Sequence, residues 1–141
     1  MTDRKADFGE TFIAALPLGK ALGMEMVEIG DGMAAIRMPY HADLIGDPDT
    51  GVIHGGAVSA LMDTCGGAAV MTHPDNPGGT ATIDLRIDYM RAATPGQSIT
   101  ARAECYHMTR SVAFVRAQAF DEDETRPVAA ATGTFTVEAK R

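Results

Sequence analysis

The chain has 141 residues, the size of one domain, with 45% apolar and 22% charged residues, a globular composition that excludes a largely disordered chain. Acidic side chains outnumber basic ones 19 to 12, for a formal net charge of −7, which argues against a nucleic-acid binder and its basic face. No apolar run approaches the roughly 20 residues that a membrane-spanning helix needs, and a core of this size needs no disulfide or metal staple.

In chain order, the opening MTDRKADFGETF has no apolar stretch and does not read as a signal peptide, so a cytoplasmic location is expected. Residues 7–16 carry a short amphipathic helix pattern, with Asp7 as N-cap and Pro17 at its end. Strand patterns cover 21–29 and 33–39, and Gly30-Asp31-Gly32 between them is hairpin chemistry. Residues 40–53 read as a loop, punctuated by Gly46-Asp47-Pro48 and Asp49-Thr50-Gly51.

From Gly55 to about Thr72 runs the one long helix, about 25 Å at 1.5 Å per residue. Val58, Leu61, Met62, Cys65, Ala69 and Thr72 form its apolar stripe. The opposite face, with Gly56, Ser59, Ala60, Asp63, Gly66, Gly67 and Val70, is nearly all small and has one carboxylate at its centre. Each glycine inside a helix costs about 1 kcal/mol against alanine, which predicts the close approach of another backbone or a ligand. A breaker cluster, 73–79, ends the helix.

The remainder reads as four strands. In 80–89 the alternation is strict, with Ala81, Ile83, Leu85, Ile87 and Tyr89 on one face and Thr80, Thr82, Asp84, Arg86 and Asp88 on the other. Residues 98–106 alternate again. The run 111–120 is apolar on both faces and should be central. The acidic turn Asp121-Glu122-Asp123-Glu124 precedes a last strand, 127–137. One long helix with six strands and no βαβ alternation predicts a single α+β domain over 1–141, its antiparallel sheet wrapped around the helix.

Charge is unevenly distributed. Residues 1–81 sum to −7 and 117–141 to −2, but 82–116 sum to +2 through Arg86, Arg91, Arg102, Arg110 and Arg116. Arginine's planar fork suits phosphate; solvated strand positions are the plainer use of the same residues. Cys65 and Cys105 are isolated and read as buried small hydrophobes in a reducing compartment, with one disulfide as the alternative.

Chemistry concentrates in 46–63. A loop with Asp47 leads through His54 to Gly55-Gly56 at the helix start, where unpaired backbone N–H groups form a ready carbonyl or oxyanion site. Asp63 follows two turns later, placed to act as a base or nucleophile on an acyl group, or simply as a structural helix residue.

His54-Gly55-Gly56 followed by Asp63, ahead of Thr82-Ile83-Asp84 and Tyr89-Met90, resembles the hotdog-fold acyl-CoA thioesterases, within them most closely the PaaI-type phenylacetic-acid-degradation group, over residues 20–137. The resemblance implies thioester hydrolysis with Asp63 as nucleophile or general base. Gly55 N–H would polarise the carbonyl, His54 would orient it, and Thr82 would position water. It puts Gly56, Tyr89, Arg110 and Ser111 near coenzyme A. Asp47 falls near the family's loop asparagine, in a loop one residue longer, and its carboxylate has no amide hydrogen to donate. No metal and no cofactor beyond the coenzyme A of the substrate is implied, and the active sites would lie between subunits of a homodimer or homotetramer.

Two rivals remain. Asp49 and His54 have the Asp-x4-His spacing of hotdog enoyl-CoA hydratases, without their Asn-Pro context. A non-catalytic acyl-CoA binding module is the second. A metal set of His54, Asp63, Cys65 and His73 is disfavoured because Asp63 and Cys65 diverge by about 160° on a helix. Met24, Met26, Met62 and Met90 are candidates for a pliable acyl pocket or for ordinary core.

Overall fold

The computed structural model describes residues 2–138, with side chains from Asp7 onward. Helix α1 (Thr2–Ala14) is followed by α2 (Pro17–Ala21), with Pro17 in the first turn where its missing N–H costs nothing. The strand expected over 21–29 therefore begins late, as β1 (Glu25–Gly30), pairing with β2 (Met33–Met38). Asp31 and Gly32 both have positive φ, 52° and 87°, as a two-residue hairpin turn of this hand requires.

The segment 40–53 is more ordered than a loop. After a single 3-10 turn (Ala42–Leu44), β3 (Ile45–Asp47) and β4 (Val52–Ile53) form a small separate hairpin. Helix α3 (Gly55–Met71) follows, then β5 (Thr82–Tyr89), β6 (Ile99–Met108), β7 (Val112–Phe120) and β8 (Ala129–Thr136). The six-stranded sheet is antiparallel throughout, in the order β1-β2-β6-β7-β8-β5. The α+β reading holds, and this is the hotdog architecture.

Alanine rows bring the helix close to the sheet. Ala34, Ala103, Ala117 and Ala131 lie side by side across four strands, and Ile36, Ala101, Ala119 and Ala129 form the next row, all buried. Leu61, Met62 and Cys65 of α3 pack into this floor with no exposure. The Cys65 thiol faces the carbonyls of Ala34 (3.3 Å) and Ala101 (3.4 Å), and burial pushes it up to about 12. Both cysteines are free. Among the described residues, no helix is long and apolar enough to cross a membrane.

Asp7 lies inside α1 and not at its N-cap, and three further expectations change. Strand β7 is central but buried on one face only, since Arg116 and Gln118 point outward and are exposed. Gly66 and Val70 of α3 are buried with the core stripe; a Cβ on Gly66 would stand 2.9 Å from the Phe135 ring, which explains that glycine. In β5 the alternation is broken. Thr82 pairs with Phe135 but Asp84 pairs with Thr134, a bulge that expels Ile83 to 56% exposure. One extra residue transfers Thr82 from the outer face to the helix face.

Candidate active site

His54 caps α3. Its Nδ1 accepts the Gly56 N–H at 2.7 Å, and its carbonyl accepts the Ala57 N–H at 3.0 Å. A neutral imidazole that accepts at Nδ1 carries its ring proton on Nε2 and can donate from there. Among the described residues, the Gly55 N–H has no acceptor. One backbone donor is thus left over at the positive end of the helix dipole, the condition for polarising a carbonyl. Gly56, expected to share this duty, has its N–H occupied by the cap.

Tyr89 braces this turn from the end of β5. Its hydroxyl donates to the Gly55 carbonyl at 2.9 Å, and its ring would lie 3.3 Å from a Cβ at Gly55. Ser59 donates to the same carbonyl at 3.1 Å and its hydroxyl also contacts that of Tyr89. The sequence reading missed Ser59, although its place one turn after Gly55 on the small-residue face was a signal. Gly55, Tyr89 and Met90 line a cavity of about 390 Å³.

The carboxylate lies elsewhere. Asp63 is half-buried on α3, and the Thr82 hydroxyl donates to its Oδ1 at 2.6 Å. Its Oδ2 accepts no hydrogen bond among the described residues. Asp63 and Thr82 edge a second cavity, of about 290 Å³, that does not include Gly55. Eight residues at 1.5 Å separate Gly55 from Asp63 by about 12 Å along the helix.

Asp47 supports the loop. Its carboxylate accepts from the Thr50 hydroxyl (2.8 Å) and the Asp49 N–H (3.0 Å), and the Thr50 bond in particular holds its carboxyl below the usual range. Its neighbour Gly46 lies against His54, where a Cβ would come within 2.7 Å of the His54 Cα. Asp49 makes no bond to His54 among the described residues.

The arginines divide. Arg86 pairs with Asp88, Arg102 with Glu28 and Glu124, and Arg116 with Glu104. Arg91 forms a bidentate pair with Asp121 at 2.7 and 2.8 Å, and the Asp121 side chain is fully buried. Thr94 and Asp123 also donate to that carboxylate. Arg110 alone of the five has no partner among the described residues. It sits with Ser111 in the exposed β6–β7 turn. Val112 pairs with Thr136, beside the Thr82 end of β5, while Tyr89 pairs with Ala129 at the other end. Within one chain, Arg110 and Ser111 therefore share an end with Asp63 and Thr82, and Tyr89 does not. Met24 and Met62 are core residues, Met26 is half-buried, and Met90 is exposed.

The sequence model described as Thioesterase superfamily matches residues 50–128. The medium/long-chain acyl-CoA thioesterase YigI of Escherichia coli strain K12 is 27% identical over 142 residues, covering 92% of this chain and 90% of that protein. A Pseudomonas aeruginosa protein of known crystal structure is 35% identical, with a TM-score of 0.82 over 93% of this chain and 97% of the other. A mutant of the phenylacetic acid degradation protein PaaI from Thermus thermophilus is 29% identical, with a TM-score of 0.77 over 87% of this chain and all of the other, 100%.

Proposed function

The chain belongs to the thioesterase superfamily, and from that membership we propose that it hydrolyses an acyl- or aryl-coenzyme A thioester to the free acid and coenzyme A. The observation that carries this reading is the Asp63 carboxylate, with Oδ1 held by Thr82 and Oδ2 open beside a cavity. Oδ2 either takes a proton from water, whose oxygen attacks the carbonyl carbon, or attacks that carbon itself to give an anhydride that water then opens. In both routes the C–S bond breaks and the coenzyme A thiolate leaves to take up a proton. The charge that builds on the carbonyl oxygen is met by a Gly55 N–H and the adjoining His54 Nε2–H.

A carbonyl must sit about 3 Å from both the attacking group and the oxyanion donor, which a separation of about 12 Å along one helix does not permit within a single chain. We infer that a second copy completes the site. β5 is an edge strand whose opposite ends carry Tyr89, next to Gly55, and Thr82, next to Asp63. Antiparallel pairing of two such edges about their midpoints brings Tyr89 of one copy alongside the partner's Thr82, and so Gly55 towards the partner's Asp63. In that arrangement Arg110 joins the composite site, where its free guanidinium suits a coenzyme A phosphate. A homodimer is the minimal unit that this arrangement needs.

The test is a thiol-release assay over short, medium, long and aryl acyl-CoAs, run beside a trans-2-enoyl-CoA. Free coenzyme A released from the saturated thioesters supports the reading. Hydration of the enoyl substrate without thiol release, or tight binding without turnover, contradicts it. A strictly monomeric mass in light scattering would remove the composite site.

A further inference from the structure

The Gly55 carbonyl at the start of α3 carries more hydrogen bonds than a helix requires. A first-turn carbonyl ordinarily accepts one backbone N–H, from four residues on. Here the hydroxyls of half-buried Ser59 (3.1 Å) and of Tyr89 (2.9 Å) converge on the same oxygen and also touch one another. The N–H of that same peptide group, carried by Gly56, donates to His54 Nδ1 at 2.7 Å. A Cβ on Gly56 would stand 2.9 Å from Nδ1 and 3.1 Å from Cε1, so a side chain there would push the imidazole off this N–H.

We propose that Ser59 is a positioning residue of the oxyanion site: through the Gly55–Gly56 peptide it polarises His54 and strengthens the Nε2–H that meets the thioester carbonyl oxygen. The role rests on the thioesterase reading above and deepens it. The C=O and N–H of one planar amide are conjugated. A hydroxyl that draws electron density onto the oxygen therefore makes the N–H a better donor, and bonds in such a chain reinforce one another. The more strongly Gly56 donates to Nδ1, the more density leaves the ring, and a neutral imidazole then donates more strongly from Nε2. No proton moves along the chain, and Ser59 itself touches neither the substrate nor the reacting atoms. Helix stability supplies no reason for a serine here. A serine bonding back to the i−4 carbonyl slightly destabilises a helix, and alanine is the best helix former. Tyr89 would keep the Gly55 carbonyl as a partner if the Ser59 hydroxyl were lost.

Ser59→Ala tests the role. Removing a whole oxyanion donor costs about 100–1,000-fold in kcat, so a donor weakened by about 10–30% should lose about 2–8-fold, with KM little changed. Denaturant unfolding should show no loss of stability. In the substrate-free protein, NMR should show the Gly56 amide proton moved upfield and the His54 Nδ1 resonance moved towards that of an unbonded ring nitrogen. Ser59→Thr keeps a hydroxyl that can reach the i−4 carbonyl and should recover both the rate and the shifts. If the unmodified protein releases thiol but Ser59→Ala changes neither the shifts nor kcat, the relay is absent and the thioesterase reading stands. A kcat that falls together with stability while the shifts stay in place makes Ser59 structural support and overturns the role, as does a Ser59→Ala protein that fails to fold. An unmodified protein that cleaves no acyl-CoA overturns the thioesterase reading and this role together.

Discussion

The Thr82 hydroxyl donates a 2.6 Å hydrogen bond to Asp63 Oδ1, tying the edge strand β5 to the central helix. The bond exists because the strand bulges at Ile83 and turns Thr82 inward. It fixes one carboxylate oxygen and leaves the other without a hydrogen bond among the described residues. Thr82→Ala should lower kcat by about 10–100-fold, the scale of a positioned proton-transfer partner, with KM little changed. Thr82→Ser should recover most of the loss, and equal rates for the Ala and unmodified proteins would show that the bond is not used.

Tyr89 braces the first turn of α3. Tyr89→Phe keeps the ring over Gly55 but removes the hydroxyl that bonds the Gly55 carbonyl. The stability cost should be about 0.5–1.5 kcal/mol, that of one hydrogen bond, measured by denaturant unfolding. A fall in kcat accompanying that cost would tie the first turn of α3 to oxyanion stabilisation; an unchanged kcat would restrict Tyr89 to structural support.

Arg110 is the cation of the 82–116 stretch with no acid beside it among the described residues, so its loss should be felt by the substrate and not by the fold. Arg110→Ala is expected to raise KM more than it lowers kcat, since the contact is remote from the reacting carbon. The KM of the unmodified protein should also rise with ionic strength and approach that of the variant as salt screens an exposed charge. A KM unaffected by the substitution would place the phosphates elsewhere.

Arg91 has a different fate. Its guanidinium, ahead of the Thr94 and Asp123 hydrogen bonds, holds the Asp121 carboxyl well below the usual carboxylate range. Removing one partner of a buried pair costs about 3–5 kcal/mol, so Asp121→Ala should melt far below the unmodified protein. A carboxyl depressed in the folded state stabilises above its unfolded value of about 3.9, and that contribution is lost as pH falls towards its folded value. The gap between the two proteins should therefore stay level from about pH 5 to 8 and narrow in stronger acid. A gap that narrows on raising the pH would contradict this.

Much of this was legible in the sequence because it depends on local pattern. The helix over 55–71, the Gly30–Gly32 hairpin and the inward row Ile99, Ala101, Ala103 and Cys105 follow from periodicity and turn chemistry. The pattern could not reveal the bulge at Ile83, since Thr82-Ile83-Asp84 alternates well either way and pairing with β8 decides the register. Net charge likewise cannot separate Arg91 from Arg110: one meets Asp121, 30 residues away, and the other meets no acid among the described residues. Gly66 and Gly67 look alike in sequence, and only the position of Phe135 tells them apart.

The most direct measurement is the single-turnover and steady-state hydrolysis of an acyl-CoA by Asp63→Asn, a substitution that keeps the size of the side chain while removing its charge and basicity. The account predicts that thiol release falls to background while the variant keeps the unmodified protein's fold and assembly, with Asp63→Glu retaining part of the rate. An Asp63→Asn protein with the unmodified kcat would contradict it.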